Sequence, residues 1–191
     1  MKRGVDDISL IPQDLTKEKA CWVPPVKFLL DLYKQPNASV EQVIRAGNEQ
    51  NGEPDGCDHS CDAVELATTM GLKVEHDFGH SEMFINGTEV SASWWQRLEN
   101  SISGGNVALV LGERLELKER RNGVAPTHYL LIVGTLKPRR GYPKLFIRDS
   151  MESESGSLGS LEGEIVAGEL IVKLPSGRDR YKMIECCLFT H

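Results

Sequence analysis

Apolar residues recur at helical spacing through the first half of the chain. After Cys21, the residues Val26, Leu29, Leu30 and Tyr33 fall on one face of a helix. Two prolines early in this segment fit a first helical turn, where a missing N–H has no partner to lose. The pattern therefore predicts an amphipathic helix with Cys21 at its N-terminal end.

Three further helices are predicted from their terminal signals. Ser39, followed three residues later by Gln42, has the pattern of a capping box. Ser60 is predicted to cap a helix that Gly71 ends. A fourth helix is predicted to begin near Ser91 and to end before the Gly-Gly pair at 104–105.

The second half of the chain alternates short apolar segments with turn residues. Segments such as THYLLIVGTL and KLFIRDSM are rich in branched and aromatic residues and are separated by turns such as PRRGYP, which is typical of antiparallel hairpins. A single domain over residues 1–191 is predicted, with a helical part over about 20–104 and a sheet part over about 105–191. The predicted fold class is α+β, with N-terminal helices packed on a C-terminal antiparallel sheet.

Composition excludes several function classes. The chain has 191 residues and a net charge of -6, so it lacks the basic character of a nucleic-acid-binding protein. No apolar run is long enough to span a membrane, and the first ten residues lack the apolar core of a signal peptide. A cytoplasmic protein is therefore expected, or one exported by a signal-peptide-independent route.

Five cysteines, an odd number, favour a reducing compartment over a disulfide scaffold.

Three residues form the strongest candidate catalytic set. A helix N-terminus favours the thiolate form of a cysteine, and Cys21 is predicted to have that position. A thiolate nucleophile needs a base, and the base needs a group that fixes its tautomer. His128 opens one predicted strand and Asp149 ends the next. If these strands pair as a hairpin, both side chains lie at the same end of it, where they meet by a cross-strand contact.

The segment Cys57-Asp-His-Ser-Cys61 carries two rival hypotheses. Cys61 also begins a predicted helix, beside His59, so it is an alternative nucleophile. The three side chains, completed by Cys186 or Cys187, also suggest a zinc site, but their spacing matches no common zinc finger and no paired ligand cluster follows at the usual spacing. No metal or cofactor is therefore expected.

The motifs ACW, HYLLIVG and FIRDS, in this order, resemble those of papain-like cysteine peptidases. The similarity is closest to the compact bacterial group, which includes bacteriocin-leader peptidase-like domains and effector proteases of plant pathogens, and it spans about residues 8–151. The resemblance implies a papain-like fold, a protein or peptide substrate, and the roles of nucleophile for Cys21, base for His128 and orienting group for Asp149. It also implies a role as a bacterial effector or toxin.

The resemblance further implies an upstream glutamine that stabilises the oxyanion together with the backbone N–H of Cys21. The only upstream glutamine is Gln13, eight residues before Cys21, whereas the family places it about six residues before its cysteine. Two alternatives therefore stay open beside a peptidase. One is a deamidase, transglutaminase or peptidoglycan amidase with the same triad, and the other is a binding module without catalytic activity.

Overall fold

The computed structural model describes residues 21–33, 38–52, 61–115, 127–150, 160–174 and 177–190. The helices are α1 (Val23–Tyr33), α2 (Val40–Gln50), α3 (Ala63–Thr69), α4 (His80–Met83) and α5 (Ala92–Ser103). The strands are β1 (Lys73–Gly79), β2 (Phe84–Ile85), β3 (Glu89–Val90), β4 (Ala108–Arg114), β5 (Thr127–Leu136), β6 (Lys144–Arg148), β7 (Leu161–Val166), β8 (Glu169–Leu174) and β9 (Gly177–Thr190). None of the helices in these ranges is long and apolar enough to cross a membrane.

The helix starts follow the predicted capping signals with one exception. The Ser39 hydroxyl accepts a hydrogen bond from the Gln42 N–H, and the Gln42 side chain accepts one from the Ser39 N–H, which confirms the capping box of α2. Helix α5 begins next to Ser91 as predicted, and the hydroxyl of Ser91 caps it. Helix α3, however, is capped by Asp62, whose carboxylate accepts two backbone N–H groups. The predicted cap, Ser60, lies outside the described residues.

The sheet closes on itself, and the predicted fold class is therefore wrong. Strand β9 is 14 residues long and pairs with β4 along one edge. Its other edge pairs first with β8 and then with β1. The strand order β9-β4-β5-β6-β7-β8 thus returns to β9, which makes a closed antiparallel barrel of six strands with β1 as an extra strand. A barrel replaces the expected papain-like arrangement of helices on an open sheet.

Two hydrophobic clusters lie on opposite sides of the barrel wall, because side chains alternate between the faces of a strand. All six barrel strands contribute to the inner cluster, and Trp94, Trp95 and Leu98 of α5 join it. The outer cluster joins α1, α2 and α3 to the outward-facing residues of β4, β5 and β9. The helix that follows Cys21 is therefore packed against the outside of the barrel wall.

Residues 73–90 contain elements that the hydrophobic pattern does not predict. Strand β1 runs from Lys73 to Gly79 along the edge of β9. The short helix α4 and the two-residue strands β2 and β3 follow it, and β2 pairs with β3. Elements of two to four residues are too short to show a period of 2.0 or 3.6.

Gly47 on α2 is required by the packing of Trp22. A Cβ atom at position 47 would lie 2.4 Å from Cη2 of Trp22, and the Trp22 side chain is fully buried. We expect Gly47→Ala to lower the free energy of unfolding by about 1–3 kcal/mol, because overpacking outweighs the gain of roughly 1 kcal/mol in helix propensity. Urea denaturation checks this expectation. Gly79→Ala is the control, since its Cβ would meet nothing closer than 3.8 Å, and equal losses in both variants would contradict it.

Candidate active site

Cys21 lies two residues before the first residue of α1 and is partly exposed. The backbone N–H of Val26 donates to the carbonyl of Trp22, so the first helical turn begins directly after Cys21. Pro24 and Pro25 occupy this turn, and neither has an N–H to donate. The helix end therefore offers fewer amide donors than usual, and a thiolate at Cys21 depends more on its side-chain neighbours.

His128 and Asp149 meet as the hairpin prediction requires. Strands β5 and β6 pair antiparallel, with Leu131 opposite Arg148, so the start of β5 lies beside the end of β6. His128 is the second residue of β5, and Asp149 directly follows β6. Nε2 of His128 lies 2.7 Å from Oδ1 of Asp149, and each of the two side chains is only 3% exposed. The pair is thus held by a short hydrogen bond that water does not reach.

This hydrogen bond fixes which nitrogen of His128 carries a proton. An ionised carboxylate can only accept, so Nε2 of His128 donates to Asp149. In neutral imidazole the other nitrogen, Nδ1, is then an acceptor. The Cys21 side chain lies near enough to His128 to raise the pKa of its imidazole through hydrogen bonding and charge. Nδ1 is the nitrogen left to take the Cys21 proton, which places the three groups in the order Cys21, His128, Asp149.

The surroundings of His128 favour its charged form. Burial alone would lower the pKa of the imidazole, but the hydrogen bonds to Asp149 and Cys21, with the negative charges of both groups, outweigh it. The pKa of His128 is raised to about 9 from its ordinary 6.5. His128 can therefore hold a proton at neutral pH while it faces the thiol.

The rival nucleophile Cys61 is held in a different environment. Its side chain is buried and donates to Oε1 of Gln50 at 2.9 Å. Burial, together with the charges of Asp62 and Glu65, raises the pKa of the Cys61 thiol to about 12. Cys61 is therefore a protonated structural thiol. Its suggested partner His59 lies outside the described residues.

Gln13 and Cys57 also lie outside the described residues. The oxyanion role predicted for Gln13 therefore stays a prediction, and the zinc alternative at Cys57 stays untested. Of the suggested zinc ligands, Cys61, Cys186 and Cys187 are described; all three are buried, and Sγ of Cys61 is engaged with Gln50.

Within the described residues, one cluster combines three possible metal ligands. Asp77, Glu185 and Cys187 place their ligand atoms within 4.8 Å of one another. The Cys187 thiol donates to Asp77 at 3.2 Å, and burial raises the pKa of this thiol. Burial also raises the pKa of Glu185, and the neighbouring charge of Asp77 adds to the effect. A protonated thiol is a poor ligand, so the cluster is explained by its own hydrogen bonds.

Tyr181 is a neighbour of the site that the sequence does not reveal. Its ring stacks on the imidazole of His128, with 6.4 Å between the ring centroids and 27° between the ring planes. The signal that points to this contact is Gly112, a glycine inside the apolar strand β4, since such a glycine marks a bulge or the close approach of another group. Tyr181 itself lies 53 residues after His128 in the chain.

The proposed relationship to papain-like peptidases comes from three short motifs and stays a prediction. The fold class inferred from it is contradicted by the closed barrel. No protein-family model matches the chain, and comparison with the curated proteins finds no match.

Proposed function

We propose that the protein is a cysteine hydrolase in which Cys21 is the nucleophile, His128 the general base and acid, and Asp149 the group that orients His128. The observation that carries this proposal is the buried His128–Asp149 hydrogen bond, together with the interaction of Cys21 with the same imidazole. A buried histidine bound only by a carboxylate has a structural explanation. The partly exposed thiol on its other side is what a structural pair does not need.

The geometry supports a two-step acyl transfer. The Cys21 proton moves to Nδ1 of His128, and the thiolate attacks the carbonyl carbon of the substrate. The imidazolium then protonates the leaving group as the carbon–nitrogen bond breaks, which leaves an acyl group on Sγ. Water attacks this thioester with His128 as base, releasing the acid and restoring the thiol. Asp149 holds the imidazolium throughout and keeps the ring in one tautomer.

An amide is the substrate class that this arrangement favours. An amine is a poor leaving group unless it is protonated as it departs. The pKa of His128, raised to about 9, keeps a proton available for that step at neutral pH. We therefore propose a peptidase acting on a protein or peptide, with Gln13 as the second oxyanion donor.

Selective alkylation tests the nucleophile without knowledge of the substrate. In the folded protein at pH 6.5, we expect iodoacetamide to modify Cys21 well before Cys61, Cys186 and Cys187, because these three are buried and burial raises their pKa. Peptide mapping by mass spectrometry identifies the modified residue. Cys21→Ala should remove the fast modification, and the matched variant Cys61→Ser should keep it. Slow modification of Cys21, or equally fast modification of Cys61, Cys186 or Cys187 that survives in Cys21→Ala, would refute the proposal.

Mass analysis of treated substrates separates the reactions that this triad supports. Fragments of a protein or peptide substrate indicate a peptidase, whereas a gain of about one dalton on the intact substrate indicates a deamidase. Cross-linked products indicate a transglutaminase. If Cys21→Ala retains every effect of the wild-type protein on cells, the protein acts as a binding module and the hydrolase proposal fails.

A further inference from the structure

The geometry points to Tyr181 as a positioning residue for His128. We infer that its ring fixes the plane of the imidazole and keeps water from the His128–Asp149 hydrogen bond. That Tyr181 assists catalysis rests on the proposed function. That it shields the His128–Asp149 hydrogen bond from water does not, and this shielding can be measured without any substrate.

Gly112 is the reason that Tyr181 reaches a residue two strands away. In the order β9-β4-β5, Gly112 on β4 lies directly opposite His128 on β5. A Cβ atom at position 112 would lie 3.1 Å from Cδ1 of Tyr181 and 3.2 Å from its Cβ. The ring of Tyr181 therefore occupies the space that a side chain at position 112 would need, and from there it contacts the imidazole.

A shift in the register of β9 keeps Tyr181 on the inner face. The pairing of β4 with β9 slips between Leu111, opposite Glu185, and Gly112, opposite Met183. Such a bulge changes which residues of a strand point to a given face. Before the bulge, the odd-numbered residues Tyr181 and Met183 belong to the inner cluster. After the bulge, the even-numbered residues Cys186 and Leu188 belong to it.

The hydroxyl of Tyr181 is tied down at the far end of the ring. It donates to Oδ2 of Asp179 at 3.2 Å, and the same carboxylate oxygen is bound by Nη2 of Arg114. Arg114 is the last residue of β4, two positions after Gly112. The ring is thus fixed at one end by an ion pair and lies over a glycine at the other, so it has little freedom to turn.

Because both side chains are buried, the contact between Tyr181 and His128 affects how well the His128–Asp149 hydrogen bond is shielded from water. Tyr181 is 1% exposed and His128 is 3% exposed. Among the described residues, Asp149 after β6, Cys21 before α1 and Tyr181 on β9 are ionisable groups that interact with His128, and Gly112 of β4 lies opposite it. A hydrogen bond to a charged group is stronger when water is excluded. A base that is held in one orientation does not have to be reoriented when it takes up a proton.

Proton exchange at Nε2 of His128 tests the shielding directly. In protein labelled with ¹⁵N-histidine, we expect a resolved, slowly exchanging Nε2–H signal, since this proton is buried in a hydrogen bond. Tyr181→Leu should speed its exchange with water by about tenfold or more. It should also slow iodoacetamide modification of Cys21 at pH 6.5 by about tenfold, as is typical when a supporting residue is removed. Tyr181→Phe keeps the ring and should keep slow exchange.

A glycine pair provides variants that leave Tyr181 in place. Gly112→Ala crowds the Tyr181 ring and should speed the exchange of the Nε2–H proton by an intermediate factor. Gly134→Ala is the matched control: its Cβ would lie 2.9 Å from Phe146, away from the imidazole, so it should lower stability without changing this signal. Gly112→Ala keeps the test valid if Tyr181→Leu does not fold.

The outcomes distinguish this inference from the proposed function. Fast exchange in the wild-type protein, or unchanged exchange in both Tyr181→Leu and Gly112→Ala, would overturn the role of Tyr181. If the exchange responds as expected but Cys21 of the wild-type protein is unreactive, the shielding stands and the hydrolase proposal fails.

Discussion

Replacing His128 by glutamine is expected to slow the alkylation of Cys21 about 100-fold at pH 6. The reason is that His128 is the group in contact with the thiol that can take its proton. An unassisted thiol has a pKa of about 8.5, so only about 0.3% of it is thiolate at pH 6. A neighbouring imidazole that takes the proton can raise this fraction by at most about 300-fold, and the lower nucleophilicity of such a thiolate reduces the gain in rate.

The size of this effect should depend on pH in a defined direction. At pH 9.5 most of an unassisted thiol is already ionised, so wild-type protein and His128→Gln are expected to differ only a few-fold. The measurement is the rate of Cys21 modification by iodoacetamide between pH 5.5 and pH 9.5. A ratio of rates that falls as pH rises identifies proton acceptance by His128 as the cause.

His80→Gln is the matched control for this experiment. His80 is a partly buried histidine whose Nδ1 lies 2.7 Å from the carbonyl of Met183 and whose ring packs against Phe84. It should leave the rate of Cys21 modification unchanged at every pH. Equal rates for wild-type protein and His128→Gln at pH 6 would show that the imidazole does not activate the thiol.

The positions of Cys21, His128 and Asp149 were predictable because they depend on local signals. The end of a helix and the two strands of one hairpin are set by residues near in sequence, namely the apolar spacing after Cys21 and the PRRGYP turn between the strands. Once β5 and β6 pair across that turn, His128 and Asp149 must lie at the same end. The 2.7 Å contact between them follows from this register.

Barrel closure was not predictable because it depends on pairing between distant strands. The apolar segment YKMIECCLF has the pattern of one ordinary strand, yet β9 begins four residues before it and pairs there with a second strand, β8. Nothing in a hydrophobic pattern states whether the last strand adds to an edge or closes a ring. The contact between Tyr181 and His128 was hidden for a related reason, since the bulge near Glu185 breaks the period of 2 along β9.

The second large expectation concerns stability, which should fall as pH rises through the titration range of His128. The pKa of this group is raised from 6.5 to about 9 in the folded protein. Its contribution to stability is therefore fully present below pH 6.5, where the unfolded chain also binds the proton. It is lost between pH 6.5 and about 9, because over that range only the folded state holds the proton.

The expected loss is about 3 kcal/mol in the free energy of unfolding between pH 6 and pH 9.5 when the folded protein takes this proton from solvent, and it is smaller to the extent that the proton comes from Cys21. Urea denaturation of wild-type protein and His128→Gln at both pH values measures it. The advantage of the wild-type protein should be largest at pH 6 and should shrink by that amount at pH 9.5. Ionisation of Glu185 and of the unfolded thiols of Cys61, Cys186 and Cys187 affects both proteins alike and so cancels in the comparison. A difference between wild-type protein and His128→Gln that is constant with pH would show that folding binds no extra proton at His128, which is the result expected if its proton comes from Cys21.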